Sequence, residues 1–335
     1  MAMILPDIWF ALIGFILFLT VVSDGFDLGI GILSLFTQDE NRRALLMGSI
    51  GPVWHANLTW LVVLGGLFFG AFPLAYGVIF SALYIPVLVM IFAMAFRGVS
   101  FDFREEAHDK GPWNLAFGLG SLATTLAQGF AVGGFLSGLQ LDGTTFAGGV
   151  WDWLNPFAAL VALGLLFAYV LLGAAYLIMK TEGEVQADGY RYAQVGAWSL
   201  LVLAVALVVW SVQKYPFLAR KWFAWPEAAL TSLPLLLAVV AFILLVRSLL
   251  TLRETAPFVW SLVLCALATL AVAASIHPYI ILPSVTLTAA ASPTQTLVTM
   301  LMLVSVILPV MLIYNGYQYR VFRGKTTGGY GGYEE

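Results

Sequence analysis

The chain alternates between long apolar runs and short polar gaps, and the runs recur at a length that suits a bilayer. Nine can be drawn, over residues 8–33, 51–72, 75–96, 115–137, 156–179, 193–213, 229–250, 257–276 and 297–321. An α-helix rising 1.5 Å per residue needs about 20 apolar residues to cross the hydrocarbon core, and each run is near that length. A spanning segment must also satisfy its own backbone hydrogen bonds, which favours helices over open strands. The expected fold is an all-α polytopic membrane protein with about nine transmembrane helices. The first run has neither a basic segment before it nor a small-residue cleavage site, so it reads as a retained span and not as a signal peptide. Residues 1–325 are expected to form a single integral-membrane domain, and the Gly-rich residues 326–335 a flexible cytoplasmic tail.

Composition closes off the soluble classes. Of 335 residues 61% are hydrophobic and 10% charged, with a mean hydropathy of +0.95, too few polar groups to cover a soluble surface. A net charge of −3 gives no reason to expect a nucleic acid partner, and membrane lipids or membrane proteins fit better. The single cysteine, Cys265, excludes both a disulfide framework and a cysteine metal cluster within the chain. Twelve of the fifteen Lys and Arg residues fall in alternate gaps or the tail, and Lys214, Arg220 and Lys221 share one gap on the other side. The positive-inside rule then places the N-terminus outside and the C-terminus in the cytoplasm, which requires an odd number of spans.

That orientation puts Asp24 and Asp27 in the inner half of the first span, on one helix face by their i,i+3 spacing. A carboxylate there costs a few kcal/mol, so intramembrane acids usually face a protein interior or a wet cavity and often serve ion or proton paths. His55 and Asn57, early in the second span, enter at comparable depth, and the four residues are the proton-path candidates. The two acids could instead brace a Gly-interrupted helix by pairing with Arg97 or Arg104, and Arg97, Asp102 and Arg104 are the candidates for structural ion pairs. His55 reads equally as an interior histidine bonded to a carbonyl. His108 and His277 lie in other regions, so no metal site is expected. Phosphate-binding, dinucleotide, zinc-protease and nucleophile motifs are absent, and no catalytic residue is expected on the chain itself. Gly25, Gly29, Gly31, Gly65, Gly66 and Gly70 would allow close helix packing. Trp151, Trp153, Trp222 and Trp225 read as outer-interface anchors.

Three stretches carry a family likeness: Ser23-Asp24-Gly25-Phe26-Asp27-Leu28-Gly29-Ile30-Gly31; Gly51-Pro52-Val53-Trp54 with Asn57 and Thr59-Trp60-Leu61; and Phe96-Arg97-Gly98-Val99-Ser100-Phe101-Asp102-Phe103-Arg104. In order and spacing the chain resembles subunit II of cytochrome bd-type quinol oxidases. Lys180-Thr181-Glu182-Gly183-Glu184, Pro278 with Pro283-Ser284, and Tyr319-Arg320-Val321-Phe322-Arg323-Gly324-Lys325 extend the likeness over nearly the whole chain. Gly70-Ala71-Phe72-Pro73-Leu74-Ala75-Tyr76 and Ala219-Arg220-Lys221-Trp222-Phe223 look closest to the cyanide-insensitive branch.

The resemblance implies two four-helix bundles plus one peripheral helix, in a bacterial or archaeal cytoplasmic membrane. It implies a larger subunit I that holds b-type haems, a d-type or further b-type haem, and the quinol site. A small single-span accessory subunit also occurs in the family, and a structural quinone or lipid in this subunit stays open. The assembled enzyme would oxidise quinol, reduce dioxygen to water and draw the consumed protons from the cytoplasm. One departure stands out: the family's usual Trp-Asp-Gly-Asn reads Trp54-His55-Ala56-Asn57 here, so His55 replaces an acid thought to serve the proton route. Either the histidine preserves that route or the route is closed. A purely structural scaffold subunit and an ion-coupled transporter remain the alternatives.

Overall fold

The structure, a computed structural model, describes residues 4–223, 225 and 227–326. The helices are α1 (Leu5–Ser34), α2 (Glu40–Ile50), α3 (Trp54–Ala71), α4 (Pro73–Ala82), α5 (Tyr84–Glu106), α6 (Gly111–Leu136), α7 (Pro156–Lys180), α8 (Gly183–Lys214), α9 (Pro216–Phe223), α10 (Glu227–Leu250), α11 (Ala256–Ile276), α12 (Leu287–Ala290) and α13 (Thr294–Val321). Two small antiparallel hairpins pair β1 (Leu141–Asp142) with β2 (Thr145–Phe146) and β3 (Tyr279–Ile281) with β4 (Val285–Thr286). Among the described residues nine helices are long and apolar enough to span a bilayer: α1, α3, α5, α6, α7, α8, Thr231–Leu250 of α10, α11 and α13. Residues 327–335, most of the expected tail, lie outside the described residues. Thr326 at its start is buried and donates its N–H to the Lys180 carbonyl at 2.8 Å.

Local signals explain several boundaries. Asn155 caps α7 by accepting from the Ala158 N–H at 3.0 Å, and Pro156 fills the first-turn position where its missing N–H costs nothing. Asp39 caps α2 in the same way, accepting from the Arg42 N–H at 2.8 Å. The third span differs from the expected 75–96. The chain breaks at Leu83, because Pro86 cannot donate to the Ala82 carbonyl and its ring opposes that group, so α4 and α5 are separate helices. The spanning helix is Tyr84–Glu106, which draws Arg97 out of the expected polar gap and into the helix.

The core forms around α1, which packs on α3, α6, α7 and α11, while α13 leans on α3 and α1. Glycines set these distances. A Cβ on Gly29 would overlap the Tyr169 carbonyl, and one on Gly31 would overlap Ser121, so α1 lies against α7 and α6 with backbone close to backbone. Gly65 and Gly66, by contrast, have nothing within 4 Å and mark no helix contact. Apolar side chains also face outward, as a lipid-solvated surface requires, with Val202 68% and Ile313 72% exposed. The two ends of the bundle differ. One, here the basic end, gathers α2, the C-terminal ends of α1 and α5, and residues 322–326; the other, the hairpin end, holds both hairpins, α4, α9 and α12.

Candidate functional site

Asp24 and Asp27 are completely buried in α1, both with 0% exposure. Asn57 of α3, also fully buried, donates from Nδ2 to Asp27 Oδ2 at 2.8 Å. Its carbonyl oxygen accepts from the Tyr319 hydroxyl of α13 at 2.6 Å. On the other side, Gln128 Nε2 of α6 donates to Asp24 Oδ2 at 3.4 Å, and the Tyr169 hydroxyl of α7 donates to Gln128 Oε1 at 2.9 Å. Two polar chains therefore leave the carboxyl pair, one through Asn57 to Tyr319 and one through Gln128 to Tyr169. Neither chain appears in the sequence motifs as a unit, because each draws its members from three helices, five in all.

A buried cation lies in the same helix bundle. Arg97 of α5 is 1% exposed, donates from Nε to Ser121 Oγ at 3.1 Å, and has its guanidinium carbon 5.4 Å from the centre of the Phe117 ring. It forms no ion pair with Asp24 or Asp27 among the described residues, so the expected brace between Arg97 and the acids is not made by direct contact. Hydrogen bonding inside the cluster is incomplete. Asp24 Oδ1, Asp27 Oδ1, one Arg97 terminal nitrogen and Thr124 Oγ1 are buried without a partner among the described residues. Buried polar atoms of this kind are normally paired.

The other expected residues fall elsewhere. His55 is exposed on α3 and stacks on Trp54 with ring centroids 3.7 Å apart. Two residues along a helix point about 200° apart, so with Asn57 turned inward His55 must face out, and the structure does not bring it to the acids. Asp102 is exposed on α5 and makes no ion pair among the described residues. Arg104 is buried and pairs with Glu40 of α2, while its Nε donates to Asn114 Oδ1 at 2.6 Å. Asn114 Nδ2 and Arg43 Nη1 also reach Glu40, at 2.9 and 2.7 Å. Partial burial alone would raise the Glu40 carboxyl, but the bonds from Arg43 and Asn114 and the charge of Arg104 outweigh it and hold it below its ordinary value. Glu40 and Asn114 escape sequence reading because they sit 74 residues apart and only the fold joins them. Gln128 and Thr124 do leave a signal, a polar pair one turn apart inside an apolar run.

The donor set does not fit a haem. His55, His108 and His277 occupy separate regions, and among the described residues no three His, Cys, Asp or Glu side chains converge. A groove of about 550 Å³ between α5 and α6 is lined by apolar residues such as Phe92, Phe96 and Leu119 and offers no axial ligand.

The family model described as cytochrome bd terminal oxidase subunit II matches residues 5–322. Cytochrome bd-I ubiquinol oxidase subunit 2 of Escherichia coli strain K12 is 33% identical over 216 residues, 62% of this chain. That match spans only 57% of the length of the Escherichia coli protein. Cytochrome bd ubiquinol oxidase subunit 2 of Bacillus subtilis is 30% identical over 70% of this chain and 72% of its own length. In three dimensions the chain is similar to a chain of the bd oxidase from Geobacillus thermodenitrificans, with a TM-score of 0.79 at 19% identity, over 95% of this chain and 98% of that one.

Proposed function

We propose that this chain, which belongs to the cytochrome bd terminal oxidase subunit II family, works in a bacterial membrane as one half of a quinol:oxygen oxidoreductase. In this reading it pairs with a larger subunit I, which carries the b and d haems, or b haems alone, together with the quinol site. The chain by itself is inactive. Its N-terminus lies outside and its basic end in the cytoplasm, so the buried acids lie nearer the cytoplasmic face.

The observation that supports a role beyond scaffolding is the Asp24, Asp27 and Arg97 cluster. Two carboxyls and one guanidinium are electroneutral with a single proton bound. The cluster can therefore take up and release one proton without leaving a large uncompensated charge in a low-dielectric interior. Tyr319 and Asn57 lead toward Asp27 from the basic end, and the hydroxyl and amide groups order water while the carboxyls carry the proton. Protons consumed at the partner's haem would enter here. The outward-facing His55 favours a second reading, in which the route through this position is closed and the chain only scaffolds its partner.

The complex purified through a tag on this chain is expected to contain a larger subunit, to show b-type haem bands in a reduced-minus-oxidised spectrum, and to consume oxygen with quinol. A haem-free chain with no large partner would refute the assignment. In stable complex Asp27→Asn is expected to slow turnover; if it and His55→Ala both leave turnover and proton uptake unchanged, the scaffold reading stands.

A further inference from the structure

At the hairpin end a second cavity of about 400 Å³ opens among the end of α6, the turn before α7, the β1–β2 hairpin and the end of α8. Its lining differs from that of the apolar groove. Lys214 and Asp152 both face it, with Gln140, Asn155 and Trp153. Neither charge is neutralised by an ion pair among the described residues. The Lys214 ammonium lies 5.5 Å from the Phe157 ring centre and 5.3 Å from that of Tyr215, while Asp152 Oδ2 accepts only the Gly149 N–H, at 2.7 Å. The Trp153 indole N–H is buried and has no acceptor among the described residues. One cavity thus presents a cation and an anion, neither of them ion-paired among the described residues.

Its place in the fold says what brings those groups together. Three spans end around it, which is the level of the membrane interface, and its rim is apolar: Trp151 is 62% and Leu154 53% exposed. A ligand that suits all of this has a phosphate for Lys214, an N–H-bearing ammonium for Asp152, and acyl chains for the apolar rim of Trp151 and Leu154. We propose that this cavity binds the headgroup of a zwitterionic phospholipid with a primary amine, phosphatidylethanolamine. A choline headgroup offers Asp152 no N–H donor, and a glycerol headgroup brings it no positive charge, so the carboxylate selects the amine. A cavity of this size is within the usual range for small-ligand sites.

The test uses the detergent-purified complex, stripped of weakly held lipid and titrated with palmitoyl-oleoyl phosphatidylethanolamine, phosphatidylglycerol or phosphatidylcholine, with retained lipid read by native mass spectrometry. The wild type is expected to keep the ethanolamine lipid about tenfold better than the other two. Lys214→Gln should lower its retention about tenfold and Lys214→Arg should largely restore it, while Asp152→Asn should erase the preference over choline. Because Asp152 also holds the Gly149 turn, the melting temperature of each variant is measured alongside, and for a misfolded variant the wild-type selectivity decides. Equal retention of the three lipids by the wild type, or undiminished retention in folded Lys214→Gln, overturns the proposal. Displacement of the lipid by soluble phosphoethanolamine overturns the lipid assignment in favour of a soluble amine phosphate.

Discussion

Arg97 is a buried cation held by Ser121 and stacked near the Phe117 ring, in the same bundle as the two buried acids. Removing it takes positive charge away from a low-dielectric interior that also holds two acids, so Arg97→Met is expected to destabilise the complex by about 1–3 kcal/mol, whereas Arg97→Met combined with Asp27→Asn recovers part of the loss. Thermal unfolding of the purified complex measures both. Glu40 gives a pH-dependent counterpart. Its carboxyl is held below its ordinary value in the folded chain, so its contribution is fully present above the unfolded value near 4.5 and is lost as pH falls through the lower folded one. Acid stability should therefore drop less steeply in Glu40→Gln, which at neutral pH costs only about 0.5–1 kcal/mol because the group is partly exposed. An identical acid-unfolding profile for variant and wild type would contradict this account. Asp24, Asp27 and Asn57 were legible in the sequence because a polar residue inside an apolar run must have a partner. Arg97 was legible as a pairing candidate but was placed in a gap, and Tyr319 and Gln128 became site residues only when folding brought α13 and α6 to α1.

At the scale of elements, the apolar periodicity locates the spans because the bilayer imposes one length on all of them. It misplaces the third because hydropathy cannot see Pro86 end a helix: Tyr76 to Leu83 are as apolar as the span that follows. The short α4 is thus indistinguishable in composition from a piece of membrane helix. Helix packing is also only partly visible in composition, since six glycines of α1 and α3 look alike and behave differently. Gly29→Ala would drive a methyl into the Tyr169 carbonyl, part of a backbone that cannot rotate away, and should cost about 1–3 kcal/mol or more and lower complex yield. Gly66→Ala meets open space and should be neutral or slightly stabilising, by up to about 1 kcal/mol from helix propensity. Equal yield and melting temperature for these two variants would contradict the close α1–α7 contact. At the basic end, Lys180 donates to the Gly324 carbonyl at 2.9 Å and Lys325 pairs with Glu254 at 2.9 Å, which strap residues 322–326 across the mouths of α7 and α11.

For the whole molecule, the proposed orientation and the carboxyl pair together predict one direction, with protons approaching from the basic end on the cytoplasmic side. Orientation is checked with Cys265→Ser as background. A Gly143→Cys label at the hairpin end should react with a membrane-impermeant maleimide in intact cells, and Asp109→Cys only after permeabilisation; the reverse pattern would turn the chain over. The direct test of the central claim is time-resolved proton uptake by the purified complex after oxygen is admitted to the reduced enzyme, wild type against Asp27→Asn. With haem content and melting temperature unchanged, the variant is expected to take up protons at least about tenfold more slowly, as loss of a relay group predicts. Uptake at the wild-type rate in a fully haem-loaded variant would contradict it, and would leave the buried acids as structural partners of Arg97.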